Sequence, residues 1–374
     1  MDAIENLLTW ARSNGVVTDG IGPQVLSGRG IGIVATQNLK ADHVILTVPS
    51  TLLRSLGNTP KPILRKLKGA TVHAILSASL CLETSPDFDI WKAVLPTQHD
   101  ITASIPLAWP SELQALLPTT AKTLLEEQSA KFARDWALVS AAYPELTRDE
   151  YLYAWLLVNS RTFYHTTRRT EKKLPKEDHM VLQPVADLFN HAPDGCQVSF
   201  DEHCYTITTT RACQRGEELF IRYGSHSNDF LLVEYGFTLP SGLNKWDELC
   251  LDPYMCPLFT APQKQTLEGA GFWGKYMLDA ETACYRTQTA LRLLCLSEGD
   301  WRAVLDGQRD EDEDAVAVEG ELRKVLRRCE KEIRSRIGDL DRVTGTEHEE
   351  MRDSLRRRWL QMKELVVTSM ARLQ

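Results

Sequence analysis

Residues 186–191, ADLFNH, and residues 218–237, ELFIRYGSHSNDFLLVEYGF, decide how the chain reads. Each is an apolar run that ends abruptly in polar side chains: Asn190-His191 in the first, Tyr223-Gly224 followed by Ser-His-Ser-Asn-Asp in the second. Taken singly these residues are ordinary. Asn and His form turns at strand ends, a lone histidine is usually structural, and most tyrosines are half-buried aromatics whose hydroxyls have found a partner. Two such clusters close together in one short region call for a functional explanation.

Working outward, residues 180–222 carry strand character: MVLQPVADLFNHA, QVSFDE, CYTITTTRA and EELFIRYG, separated by Pro-Asp-Gly and Arg-Gly-Glu turns. Residues 28–53, GRGIGIVATQNLKADHVILTVPSTLL, read as strand, turn, strand. Between them, from about 62 to 160, apolar residues recur at helical spacing with prolines as punctuation, which predicts a helical insert. The N-terminal MDAIENLLTWARSNG reads as a short amphipathic helix. Residues 166–177, TTRRTEKKLPKE, have no apolar period and read as a surface loop. Beyond Phe237 the pattern is helical again, interrupted by the acidic run at 310–314, read as a solvated loop.

The glycines Gly28, Gly30 and Gly32 do not make a dinucleotide fingerprint. That motif opens a helix and is followed by an acidic residue roughly 20 positions on, whereas strand formers follow here. They read as a glycine-rich hairpin, or as a backbone that lets a ligand come close.

Composition removes other classes. A chain of 374 residues with 43% hydrophobic and 25% charged residues suits two adjoining globular domains. A net charge of -8 argues against nucleic acid as partner and fits a basic protein better. The nine cysteines contain no C-x-x-C pair, so neither a zinc cage nor a disulfide framework is expected. No basic leader and no apolar run near the ~20 residues of a bilayer span are present, so the expectation is an intracellular protein, cytoplasmic or nuclear, without metal or membrane partner.

The Gly-x-Gly entry, the Asn-His pair after an apolar strand and the closing Tyr-Gly occur in the order found in SET-domain lysine methyltransferases. The spelling YGSHSNDFLLVEYGF resembles the branch typified by the Rubisco large-subunit lysine methyltransferase. WKAVLPT (91–97) and IPLAWPSELQALL (105–117) are similar to that branch's helical insert, and the helical tail to its C-terminal domain. The resemblance implies an α+β fold: a mostly β SET core over residues 1–240 with a knot-like C-terminal crossing and a helical insertion at about 62–160, then an all-α, substrate-binding-like domain over 241–374. It implies S-adenosylmethionine as cofactor and a lysine of a non-histone protein as acceptor. By position, Arg29, Gly30, Ile31 and Gly32 resemble the loop that wraps the cofactor, and Asn190 and His191 the pair that holds its two ends. Ser160 falls among the cofactor-lining residues, and Arg161 and Asp187 among those lining the lysine pocket. Tyr223 corresponds to the active-site tyrosine, which also touches the cofactor, and Tyr235 to a second tyrosine walling the lysine channel.

Two alternatives stay open from the sequence: histidine as the acceptor, and a scaffold turned to non-catalytic binding or small-molecule chemistry. Substrate identity, the number of methyl groups added and oligomeric state have no readable signal.

Overall fold

The structure is a computed structural model that describes residues 2–168, 170–343 and 348–373. The chain divides into two compact units: residues 1–108 with 126–225, and residues 109–125 with 226–374. The division falls between Ser225 and His226, where the sequence reading drew its boundary at 240, and it groups Trp109–Leu125 of the expected insert with the second unit.

The first unit is built on a seven-stranded sheet: β1 (Val17–Thr18), β2 (Ile21–Leu26), β3 (Gly30–Ala35), β4 (Val44–Pro49), β7 (Asn190–Phe200), β8 (Cys204–Thr208) and β9 (Glu218–Ile221), in the order β1-β4-β8-β7-β9-β3-β2. A separate ribbon pairs β5 (Phe163–Tyr164) with β6 (Met180–Val181). The alternation seen in the sequence is the alternation of burial: Tyr205 and Ile207 of β8, and Leu219 and Ile221 of β9, point into the core while their neighbours do not. The glycine-rich stretch is the β2–β3 hairpin, with Gly28 and Gly30 at φ +72° and +71°, where a β-carbon would be strained.

One junction brings distant chain together. β9 pairs antiparallel with β3 (Val34 opposite Glu218) and parallel with β7, where both His191 and Cys196 face Ile221 across an irregularity in register. At Gly195 a β-carbon would lie 2.5 Å from the Phe220 carbonyl oxygen, so only glycine lets the two backbones approach this closely.

Helices pack over this sheet as the insert predicted. Val72–Leu82 and Arg148–Arg161 are each capped by a threonine, Thr71 accepting from Ala74 N and Thr147 from Glu150 N, and both are buried over most of their surface. Two of their polar side chains are matched inside: the Trp155 indole donates to Asp135 at 2.9 Å, and the His73 ring stacks on Trp155 with its Nε2 2.9 Å from the Trp155 carbonyl. Burial, outweighing that hydrogen bond, pushes the His73 pKa down to about 4, so the imidazole is neutral and can donate. Residues 166–177, of which Arg169 lies outside the described residues, form turns and the start of a single-turn helix at Lys176–Asp178.

The second unit is helical, with long helices Ala315–Arg342 and Glu349–Arg372 and one small ribbon of β10 (Glu248–Cys250) and β11 (Met277–Asp279). The acidic run at 310–314 is not a plain solvated loop. It makes one helical turn leading into Ala315–Arg342, with Asp314 almost buried against Arg309 at 2.8 Å. The interior of this unit holds a fully buried Arg358, which donates to Asp229 (2.7 Å), Asp247 (2.8 Å) and the Glu248 carbonyl (3.2 Å). Asn228 extends the network to Leu239, Asn244, Asp247 and Gln361.

No described helix is long and apolar enough to cross a membrane. The nine cysteines form no disulfide, and among the described residues no group of three or more His, Cys, Asp or Glu is placed to hold a metal ion.

Candidate active site

The parallel β7–β9 pairing sets the ends of both apolar runs side by side. Tyr223 follows β9, and its backbone N–H donates to His191 Nδ1 at 3.0 Å. That bond places the proton of a neutral His191 on Nε2 and lays the imidazole beside the phenol, with ring centroids 5.1 Å apart. The Tyr223 hydroxyl donates to the Phe189 carbonyl at 2.6 Å, so its proton is committed to the backbone and its oxygen lone pairs lie elsewhere. Burial, then the nearby carboxylates Asp187 and Glu218, push the phenol up to about 12 against the opposing pull of Arg161. Tyr223 is therefore a neutral phenol across the working range, not a general base.

Asn190 and the glycine-rich hairpin meet through a residue the sequence reading passed over. Glu218, the first residue of β9, accepts from Asn190 Nδ2 at 2.8 Å with one oxygen and from Arg29 Nη1 at 2.6 Å with the other. Gly32 lies directly beneath: a β-carbon there would come within 2.8 Å of both the Asn190 amide nitrogen and the Glu218 carboxylate. A side chain at Gly32 would push these two groups and the Leu26 methyl aside. Gly30 differs, since its β-carbon would meet nothing within 4 Å and open space lies beside the main chain. Ile31 is half-buried between them, paired with Val25.

Asp187 is oriented inward. Its side chain is buried, 3.6 Å from Arg161 Nη1 and 3.2 Å from the Trp91 indole N–H, and Arg161 also donates to the Asp187 carbonyl at 2.7 Å. Burial dominates over the Arg161 attraction and these hydrogen bonds, raising the Asp187 pKa to about 6. Asp187 thus holds Arg161 in place. Ser160 bonds back to the Leu156 carbonyl of its own helix. Just upstream, buried Val185 takes φ +72° and ψ -50°, a conformation that costs a β-branched residue on the order of 1–3 kcal/mol and that the surrounding core sustains.

The structure therefore gathers Arg29, Gly32, Asn190, His191 and Tyr223 around Glu218, with Arg161 and Asp187 adjoining through their effect on the Tyr223 hydroxyl. Tyr235 belongs to the other unit, at the end of helix Asn228–Tyr235 before a left-handed Gly236, among His226, Phe230 and Phe237. Glu218 had one signal in the sequence: a charged residue opening an otherwise apolar central strand.

The family model described as SET domain matches residues 30–224. The chain belongs to the SET-domain family. A second model, Ribosomal lysine N-methyltransferase 2 C-terminal domain, matches residues 248–371. Among similar proteins, Ribosomal lysine N-methyltransferase set11 of Schizosaccharomyces pombe is 28% identical over 352 residues, covering 88% of each chain. SET domain-containing protein 4 of Mus musculus is 27% identical, over 81% of this chain and 75% of its own. A solved structure of Rubisco LSMT bound to sinefungin and monomethyllysine shares the fold, with a TM-score of 0.62 at 17% identity over 100% of this chain and 93% of that one. In this SET-domain protein the matched region begins one residue after Arg29 and ends one residue past Tyr223, so all of the constellation around Glu218 except Arg29 lies within it.

Proposed function

We propose that the protein is an S-adenosylmethionine-dependent protein-lysine N-methyltransferase acting on a non-histone protein. The observation that carries this reading is the neutral Tyr223 hydroxyl, locked onto the Phe189 carbonyl beside a His191 that is itself fixed by the Tyr223 backbone. The donor set suits a zwitterionic nucleoside ligand: an amide at Asn190, a carboxylate at Glu218, a guanidinium at Arg29 and open backbone at Gly30. When bound, the cofactor supplies an electrophilic methyl group on a sulfonium.

What remains for the protein is chiefly alignment, because methyl transfer to an amine is an in-line displacement whose barrier falls when the reacting atoms are held at near-attack distance. An acceptor lysine near its ordinary pKa of ~10.4 must first shed its proton, and a desolvated aromatic surface favours the free amine. Tyr223, with its own proton held by Phe189, offers oxygen lone pairs to polarised methyl hydrogens, contacts worth about 0.5–1 kcal/mol each. Ser160 and Ile31 complete the cofactor side of this reading. Arg161, held by Asp187, and Tyr235 belong to the acceptor side, and the helical second unit helps to choose the protein substrate. The relatives named for ribosomal lysine methylation favour a cytoplasmic setting.

The test is titration calorimetry with S-adenosylmethionine and S-adenosylhomocysteine on the wild type and on Asn190→Ala, followed by transfer of labelled methyl to lysate proteins and mass spectrometry of the labelled band. Binding lost in the variant, with label on a lysine, is the expected result. Label on a histidine moves the acceptor, and wild-type protein that binds neither ligand removes the methyltransferase reading.

A further inference from the structure

Glu218 makes two contacts that are unequal in kind. Its bond to Asn190 is between partly buried groups, and only 14% of the Glu218 side chain is exposed. Its bond to Arg29 is to a guanidinium 58% exposed on the hairpin, where an ion pair is screened by water and worth little. The carboxylate is thus held rigidly on one side and only weakly neutralised on the other. The second charge pair of the site behaves differently, because Arg161 and Asp187 face one another at 3.6 Å within the interior. Glu218 is left as the negative charge that a ligand entering beside Asn190 meets, and it is near enough to the Tyr223 hydroxyl to be felt there.

Resting on the methyltransferase reading, we infer that Glu218 is the residue that reads the positive charge of the methyl donor. Its carboxylate fixes the Asn190 amide and favours a cationic sulfonium over the neutral thioether left after transfer. Arg29 tempers this preference by sharing the carboxylate. The physical basis is that a fixed charge in a partly desolvated site discriminates between ligands of the same shape by charge alone. The spent product then leaves a site that prefers its precursor.

The experiment is calorimetric titration of wild type, Glu218→Gln and Arg29→Ala with S-adenosylmethionine, S-adenosylhomocysteine and sinefungin, which carries an amine where the donor carries its sulfonium. Glutamine keeps an acceptor oxygen for Asn190 while removing the charge. In Glu218→Gln the cationic ligands are expected to lose roughly five- to tenfold in affinity while S-adenosylhomocysteine changes less than about twofold. Arg29→Ala is expected to move the donor-to-product ratio the other way. Equal losses for all three ligands in Glu218→Gln would mean that Glu218 only supports Asn190, and an unchanged ratio in both variants also overturns the inference, each leaving the methyltransferase reading intact. Wild-type protein that takes up none of the three overturns both together.

Discussion

Two buried ionic groups, one in each unit, share a cost, since burial raises the pKa of Asp187 in one and of Asp229 in the other, and differ in how fully the arginine is used. In the first unit Asp187 is enclosed with a single guanidinium at 3.6 Å and an indole N–H, and burial wins: its pKa rises to about 6. In the second, Arg358 is wholly enclosed with two carboxylates at 2.7 and 2.8 Å and a backbone carbonyl, so every arm of the guanidinium is used. The first arrangement keeps an arginine near enough to the Tyr223 hydroxyl to be felt there, at a cost to the carboxylate. The second joins the segment 228–248 to the helix Glu349–Arg372 and has no chemistry of its own.

The comparison breaks hardest at Arg358. Arg358→Ala leaves Asp229 and Asp247 buried without their cation, and unfolding in urea is expected to show a loss of about 3–5 kcal/mol in the second unit's transition. A loss under about 1 kcal/mol would mean that water already solvates the pair.

Asp187 sharpens it through pH. Because its folded pKa is raised above the ordinary ~3.9, the folded state holds the proton longer. Its stability contribution is greatest below about pH 4, declines as pH rises to about 6 and is flat above. Two pH units at about 1.4 kcal/mol each make a decline of roughly 3 kcal/mol. Asp187→Asn should abolish that decline, read as the difference between variant and wild-type unfolding free energies at pH 4 and pH 7.

Tyr223→Phe removes the hydroxyl from Phe189, and turnover is expected to fall about 10- to 100-fold while S-adenosylhomocysteine affinity stays within about twofold. A parallel fall in affinity would make Tyr223 a binding group. Gly195→Ala is the mildest, about 1–3 kcal/mol of stability, because the Phe220 carbonyl must move aside.

The same contrast explains what the sequence disclosed. The strands, the helical insert and the helical tail follow from periodicity, and Tyr223, Asn190 and His191 stand out as polar breaks in apolar runs. The stretch 218–237, however, reads as one signature and serves two purposes. Its first part builds the constellation around Tyr223, while Asn228 and Asp229 serve the Arg358 network. Glu218 was hidden because its partners, Arg29 and Asn190, become neighbours only through the pairing of β9 with β3 and β7. Asp187 shows the converse: its position was legible, but its inward orientation depends on Trp91, in a helix 96 residues away along the chain. The turn at 310–314 escaped because composition reports charge and not the arginines that fold back onto it.

The bond between Arg29 and Glu218 spans 189 residues. On a ribosome adding about 5–20 residues per second, β9 emerges roughly ten to forty seconds after β3. Through that interval the β2–β3 hairpin has an unpaired edge, while the helices of the insert, whose contacts are more local, can form at once. The candidate site is therefore assembled only after the whole insert has been made, and a chain truncated before residue 218 has the insert's helices but lacks Glu218 and Tyr223.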